Sequence, residues 1–302
     1  MSYNENTATR ADVYERVTSA ITSAIEAGAG NYRMPWNVRR DKGFSPISVG
    51  SAKPYRGINT VVLWAQAQAK GYGSALWGTY NQWQELGAQV RKGEHGSPVV
   101  YWGTFESNRA EDSEDDGTAT RRLFAKGYTV FNAEQVDGLK LPKAFEPKLS
   151  HNERIARADC FFAPLAEVRD GGNRAFYRPD APEAVYMPGF DQFPDPKAYY
   201  SVLAHETTHW TSHASRCNRE LGKRFGDSAY AVEELIAELG SAYAMAHLEL
   251  ELTPRQDHAQ YIASWLKVLK ADKRAIFTAA SQAQKAADYL IRESGRTAEV
   301  AA

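Results

Sequence analysis

Val13, Val17, Ile21 and Ile25 recur every fourth residue through the stretch 11–29. That spacing puts them on one side of a helix, so the pattern predicts an amphipathic helix that the glycines at 28 and 30 stop. Residues 31–59 are rich in Pro, Gly, Asn and aromatic side chains and predict irregular backbone. A second helix is predicted over 60–70, ended by Gly71, and a short third one over 79–86. Pro98 to Phe105 is β-branched and aromatic and predicts a strand, with Leu123 to Phe131 as its returning partner. Between them, 106–120 carries six carboxylates against Arg109 and reads as a solvated hairpin loop or a disordered excursion.

The pattern changes after residue 137. Residues 138–150 hold two prolines and little periodicity, which places a domain boundary there: 1–140, a linker 141–150, and 151–302. A helix is predicted over 151–162 and short strands over 174–177 and 184–187. Asp195-Pro196 is a cap followed by a first-turn proline, the start of a helix through His205 and His209. Helices follow over about 230–249 and, as one long element, over about 255–292. The fold class is therefore α+β in two domains, a mixed α/β N-terminal half and a mostly helical C-terminal half.

Composition narrows the classes. With 43% hydrophobic residues among 302, the chain can bury sizeable cores. Its net charge of −1 excludes a uniformly basic coat, though not a local basic face. The two cysteines, Cys160 and Cys217, make neither a disulfide framework nor a thiolate zinc site. No apolar leader or membrane-spanning stretch is visible, so the expected location is the cytoplasm, without membrane contact.

One motif bears chemistry. His205-Glu206-Thr207-Thr208-His209 is HExxH, in which histidines at i and i+4 share a helix face and both imidazoles reach one metal. Zn²⁺ is the expected metal, with Mn²⁺ or Co²⁺ possible in an exposed site. A divalent ion of this kind lowers the pKa of its water to about 7, within reach of Glu206 as general base. A third protein ligand is needed. His213 is one candidate, but three ligands at i, i+4 and i+8 of a straight helix span too great a rise to meet at one ion. The metzincin position, ten residues after the first histidine, is Ser215. Glu233, Glu234 and Glu238 are the others; Glu234-x-x-Ala237-Glu238 resembles the carboxylate helix of gluzincins. On that resemblance Glu234 is the third ligand and Glu238 steadies a ligand histidine, while Glu233 points about 100° away and is expected in solvent. Tyr243 and His247 are weak candidates for polarising a substrate carbonyl and read better as packing residues. The strand at 184–187 could pair with an extended substrate.

The N-terminal half has a different chemistry. Residues 31–105 hold twelve aromatics, including five of the seven tryptophans, interleaved with basic side chains. Residues 1–150 carry 18 Lys and Arg against 16 Asp and Glu; without 106–116 the balance is 17 against 10, a net +7. Cations that follow phosphates, beside rings on which bases stack, suit single-stranded nucleic acid. Trp64, Trp77 and Trp83 sit in apolar contexts and read as core. Trp36 and Tyr55 sit in polar, loop-like stretches and read as stacking surfaces. The predicted DNA-binding set is Arg33, Trp36, Arg39, Arg40, Lys53, Tyr55, Arg56, Asn59, Arg91 and Lys92.

The segments MPW, KPYRGIN, WGTYNQWQELGAQVRKGEHG and YTVFNAEQVDGL, with AVYMPGFDQF, AYYSVLAHETTHWTSH and YAVEELIAELGSAYA, resemble the ArdC-type antirestriction proteins over about residues 10–290. The resemblance implies an N-terminal domain that binds single-stranded DNA, related to that of conjugative-plasmid primases, and a C-terminal zincin-like metalloprotease domain. It implies a plasmid protein shielding incoming conjugative DNA from host restriction. Its protein substrate is unidentified, a restriction-system component or a DNA-bound protein being the classes suggested. His205, Glu206, His209 and Glu234 take the metalloprotease positions. One departure is visible: Ser212 stands where the family pattern has glycine. The alternative is a binding-only antirestriction module whose metal is structural or inactive. A two-metal nuclease fits poorly, since HExxH lacks the carboxylate array that Mg²⁺ chemistry needs.

Overall fold

The structure, a computed structural model, describes residues 12–29, 34, 45–106, 121–139, 150–219, 228–252 and 258–300. Arg33, Trp36, Arg39 and Arg40, most of the linker 141–150, and all of the acidic stretch beyond Glu106 lie outside the described residues.

The N-terminal half opens with α1 (Val13–Gly28), whose Asp12 side chain accepts from the Tyr14 amide and whose Val17, Ile21 and Ile25 are fully buried. A short strand β1 (Ile47–Ser48) leads to α2 (Ile58–Lys70), which Gly71 ends in the left-handed conformation at φ 71°. Next come β2 (Leu76–Gly78) and α3 (Tyr80–Glu85), which starts on a reciprocal Thr79–Gln82 capping box. After β3 (Gln89–Val90), the long hairpin β4 (Ser97–Glu106) and β5 (Arg121–Asn132) pairs through Glu106↔Arg121, and β6 (Val136–Asp137) returns to β3. The main sheet has the order β1-β2-β5-β4; β1 and β2 run parallel and the other pairs antiparallel.

The C-terminal half begins with α4 (His151–Phe162), capped by a Ser150–Glu153 box. A three-stranded sheet follows: β7 (Val168–Asp170), β8 (Phe176–Arg178) and β9 (Ala184–Met187), in the order β7-β9-β8. Then come α5 (Pro196–Trp210), α6 (Ser228–His247), α7 (His258–Ala271) and α8 (Ala275–Val300). Helix α6 packs against α5, α7 and α8 and is the axis of this half. The expected single helix over 255–292 is two helices. Asp272 divides them: its carboxylate accepts from the Arg274 amide and its carbonyl from the Ala275 amide, a local turn that competes with helix continuation.

Apolar packing runs through both halves. Val17, Ile21, Ile25, Ile58, Val62 and Trp64 belong to one cluster with Leu235, Leu239, Tyr243, Trp265, Ile276 and Leu290. The hydroxyl of Tyr243 donates to the Gly57 carbonyl at 3.0 Å, and the Gly57 amide donates to Gln284 at 2.9 Å. Among the described residues, no helix is long and apolar enough to cross a membrane.

Candidate metal centre

Helix α5 is built to hold its histidines still. Asp195 caps it by accepting from the Ala198 amide at 2.8 Å, and Pro196 occupies the first turn, where its missing N–H costs nothing. Three threonines in and just after the motif return their hydroxyls to the backbone: Thr207 to Leu203, Thr208 to Ala204 and Thr211 to Thr208. They therefore sit buried with no polar group wasted. Helix α6 crosses closely because Gly240 lies against Thr208; a Cβ there would come within 2.5 Å of Thr208 Cγ2.

That crossing brings three donors together. His205 Nε2 and His209 Nε2 lie 3.2 Å apart, and the Glu234 carboxylate faces both, at 3.5 Å from His205 and 3.6 Å from His209. All three donor atoms fall within 4.8 Å of one another. Two imidazole nitrogens and one carboxylate oxygen around a common point are a donor set for a divalent ion with a position left open.

Behind each imidazole stands another carboxylate. Glu238 lies 3.0 Å from His205 Nδ1, and Glu233 lies 3.1 Å from His209 Nδ1. Each turns the opposite nitrogen, Nε2, towards the common point and fixes the tautomer that can ligate. The structure thus corrects the expectation for Glu233: it is 3% exposed rather than solvated, because α6 is flanked by helices on several sides and leaves no wet face there. Arg219 grips both Glu233 oxygens, at 2.8 and 3.1 Å, and also donates to the Thr208 carbonyl and the Thr211 hydroxyl at the end of α5. One cation therefore anchors the Glu233 carboxylate and satisfies a carbonyl and a hydroxyl at a helix C-terminus. The sequence carries no periodic signal for Arg219, which lies beyond the turn after α5. The adjacent pair Glu233-Glu234 on so apolar a helix is the signal that could have marked both carboxylates as buried.

Burial and charge set the protonation. Burial alone would lower His209, but hydrogen bonds to Glu233 and Glu234 outweigh it and push the imidazole up to about 10. Burial would raise Glu234, yet the two histidines hold its carboxyl well below the ordinary range. Glu206 is 5% exposed and sits beside His205 on the motif helix.

The remaining expected residues separate. His213 is off the helix altogether, because α5 ends at Trp210, and its Nδ1 faces the Ser215 hydroxyl at 2.9 Å. Ser212 lies in the same turn, buried, its amide donating to the His209 carbonyl. Tyr243 spends its hydroxyl on Gly57, and His247 lies beside Arg157 and Phe161, so neither is placed to polarise a substrate. Tyr230 lies one turn before Glu234, and its hydroxyl lies 3.2 Å from that of Tyr261. Burial, and after it the Tyr261 hydroxyl and the Glu234 charge, raise its pKa. Strand β9 cannot add a substrate strand, since β7 and β8 already occupy both of its edges.

In the N-terminal half, Trp64, Trp77 and Trp83 are buried in the core. Asn59 serves the fold: its side-chain amide donates to the Val100 carbonyl and its oxygen accepts from the Val100 amide, both at 2.8 Å. Tyr55 is half-buried against the Leu63–Trp77 cluster. Arg91 is held by Glu94, Asp137 and the Glu134 carbonyl. Lys53, Arg56 and Lys92 are exposed, with Arg56 paired to Asp288 of α8.

Comparison with known proteins places both halves. Residues 11–131 match the N-terminal domain of the anti-restriction factor ArdC, and residues 156–282 match a zincin-like metallopeptidase family. The chain is 50% identical over 294 residues to the y4eC protein of Sinorhizobium fredii, covering 96% of this chain and 95% of that one. It is 36% identical over 301 residues to the Escherichia coli DNA primase TraC, covering 92% of this chain but 27% of TraC. The crystal structure of the antirestriction protein ArdC from plasmid R388, metal-free, superposes with a TM-score of 0.77 at 42% identity, covering 94% of this chain and 98% of that one. Its Mn(II)-bound form gives 0.74.

Proposed function

This chain belongs to the ArdC-type antirestriction proteins, and from that premise we propose that it binds single-stranded DNA and carries a metal-dependent peptidase, together protecting incoming conjugative DNA from host restriction. The observation that carries the enzymatic part is the convergence of His205, His209 and Glu234 beside Glu206 on one helix crossing. The fit to a divalent cation rests on that donor set and on the carboxylate behind each imidazole. Zn²⁺ suits it, and the Mn(II)-bound relative makes Mn²⁺ an equal candidate.

A divalent cation held here would polarise a scissile carbonyl and acidify water. The chain's own residues do the rest. Glu206 takes a proton from the attacking water and returns it to the leaving amine. Glu238 and Glu233 keep the imidazoles in register, with Arg219 anchoring the latter. Tyr230, whose hydroxyl lies 3.2 Å from that of Tyr261, is the residue one turn before Glu234 that could turn towards a developing oxyanion. The substrate is a protein at or near DNA, either a restriction component or a protein bound to the incoming strand.

For DNA, the support is the family match of residues 11–131 and the basic, aromatic-rich character of that half. A titration with single-stranded DNA at several salt concentrations tests it: affinity should fall steeply as salt rises, and a flat response would remove the phosphate-contact account.

The second reading, a binding-only protein with a structural or inactive metal, is favoured by one observation. His205, Glu206, His209 and Glu234 are all at most 9% exposed, which leaves little room for a polypeptide. Glu206→Ala decides between the two. Loss of plasmid protection with metal still bound supports proteolysis, whereas full protection with metal bound supports the binding-only reading.

A further inference from the structure

A cleft of about 680 Å³ lies where the two halves meet. The N-terminal half contributes Tyr14, Arg56 and Trp102 to its lining, and the C-terminal half contributes Arg274, Phe277 and Lys285. Three rings form its floor: Tyr14 and Phe277 with centroids 4.7 Å apart, and Trp102 at 6.0 and 6.4 Å from them. Trp102 is nevertheless 43% exposed, an unusual state for an indole packed on two rings, and so presents surface to the cleft. Arg274 lies over the Tyr14 ring at 5.2 Å, and Lys285 is exposed and enters no ion pair among the described residues. Against these cations stands one carboxylate, Asp288, already paired to Arg56.

We propose that this cleft is a single-stranded DNA subsite, in which a base stacks on Trp102 while the flanking phosphates lie on Arg274 and Lys285. Its chemistry is what an unpaired strand requires, an exposed ring for the base and cations spaced along one wall for the backbone. Arg274, in the turn that leads into α8, and the exposed Thr278, Ser281 and Lys285 on α8 follow one another at helical spacing, so the wall is a continuous polar stripe. The other face of the hairpin also exposes rings, Tyr101 and Tyr128, with Lys126 over Tyr128. What sets the cleft apart is its concave shape, with a ring on one wall and the exposed Lys285 and Arg274 on the other. The consequence is that DNA contact is shared between the halves rather than confined to the first 140 residues.

The proposal rests on the single-strand-binding reading, and the experiment separates the two. The full chain is titrated with a labelled oligothymidylate at several salt concentrations, together with Arg274→Ala/Lys285→Ala, Trp102→Ala, Trp102→Phe and Tyr101→Ala/Tyr128→Ala. Losing two phosphate contacts should lower the salt slope by about 1.4 and the affinity at physiological salt roughly tenfold. Trp102→Ala should weaken binding about fivefold or more. Trp102→Phe preserves the packing on Phe277; it should bind within about threefold of wild type yet lose the DNA-induced quenching of tryptophan fluorescence. The Tyr101/Tyr128 variant should bind normally. Wild-type affinity, slope and quenching in the three cleft variants, or a loss confined to the Tyr101/Tyr128 variant, would overturn the cleft while leaving single-strand binding intact. Absence of salt-dependent binding by the wild-type chain would instead remove the underlying reading, and the cleft with it.

Discussion

The closeness of the two helices that carry the donor set depends on one missing side chain, and Gly240→Ala tests that dependence. A Cβ at 240 would sit 2.5 Å from Thr208 Cγ2 and 3.0 Å from its Oγ1. Ordinary contact between carbons is about 3.5–4.0 Å, so roughly 1 Å must open somewhere. Thr208 cannot easily yield: it is fully buried, β-branched, and its hydroxyl is committed to the Ala204 carbonyl at 2.7 Å. The helices must therefore separate or slide. Two stability effects oppose each other. Alanine in place of a helical glycine gains about 1 kcal/mol, while overpacking a tight core costs about 1–3 kcal/mol. The net loss is modest, about 0–2 kcal/mol, and the protein should still fold.

The centre should suffer more than the fold. Glu234 and Glu238 ride on α6 and the histidines on α5, so a separation of this size is felt directly in the distances of 3.5 and 3.6 Å from Glu234 to the imidazoles. Misplacing groups around a ligand histidine costs about 10–100-fold in metal affinity, and a similar loss is expected. Competition with a chromophoric chelator measures it, alongside a thermal melt. The control is Gly240→Ala/Thr208→Ala, in which Cγ2 and Oγ1 are gone and the nearest remaining contact, Cβ, is at 3.3 Å. That double variant should hold metal within about threefold of Thr208→Ala alone, a non-additive result expected of residues in contact. Wild-type metal affinity in Gly240→Ala, or no recovery in the double variant, would refute the idea that this crossing sets the donor geometry.

Three further outcomes are expected. Glu233→Ala strips Arg219 and His209 of their common carboxylate, the arginine side chain being 5% exposed; it should cost roughly 3–5 kcal/mol of stability as an uncompensated buried charge and about 10–100-fold in metal affinity, and an unchanged affinity by chelator competition would show that His209 is oriented without it. Because His209 in the metal-free protein is raised to about 10 from its ordinary value, its charged form stabilises that state at and below neutral pH and the contribution fades as pH rises through 10. Metal must displace that proton, so affinity should climb about tenfold per pH unit from pH 6.5 to 8.5, and a plateau beginning near 7 would contradict the raised value. A fragment of residues 151–302 should bind a hydrophobic dye and melt well below the full chain, since α1 and α2 would no longer cover the apolar cluster around Leu235, Tyr243 and Ile276; a cooperative fragment with the full chain's melting temperature would show that the halves are independent.

What the sequence reveals and what it hides divide along physical lines. Helix α1 was legible because one apolar stripe faces one partner surface, and α5 because a cap, a first-turn proline and HExxH coincide. The hairpin β4–β5 was legible because ten or more residues of β-branched and aromatic character outweigh noise. Two-residue strands such as β1, β3 and β6 carry no periodicity to detect; they exist because a neighbouring strand offers its edge. Glu233 was misjudged because an angle on a helical wheel says where a side chain points, not what lies there. On a helix packed on several sides, a carboxylate 100° from a ligand can still be buried, provided that a cation such as Arg219 meets it. The structural task of Asn59 was hidden for a related reason: a polar residue in an aromatic, basic stretch can also bind the backbone of a neighbouring strand.

The join between the halves has a further consequence for how the two proposed sites relate. Helix α6 carries Glu233, Glu234 and Glu238 near its start and Tyr243 further on, where the tyrosine hydroxyl holds the carbonyl of Gly57. Gly57, at φ 53°, begins α2 and gives its amide to Gln284 of α8. Arg56, the next residue back, pairs with Asp288 at the rim of the inter-half cleft. A short run of direct contacts thus leads from the cleft through Gly57 to the helix that supplies the third metal donor. Proximity of this kind does not by itself couple two sites; coupling requires an element with two arrangements that both sites bias. The packing of α6 against α5 at Gly240 leaves little slack for such an element, because close-packed helices shift in steps rather than yielding gradually. If the chain binds DNA as proposed, the architecture favours a rigid bridge to a centre that is already assembled over one in which DNA assembles the centre.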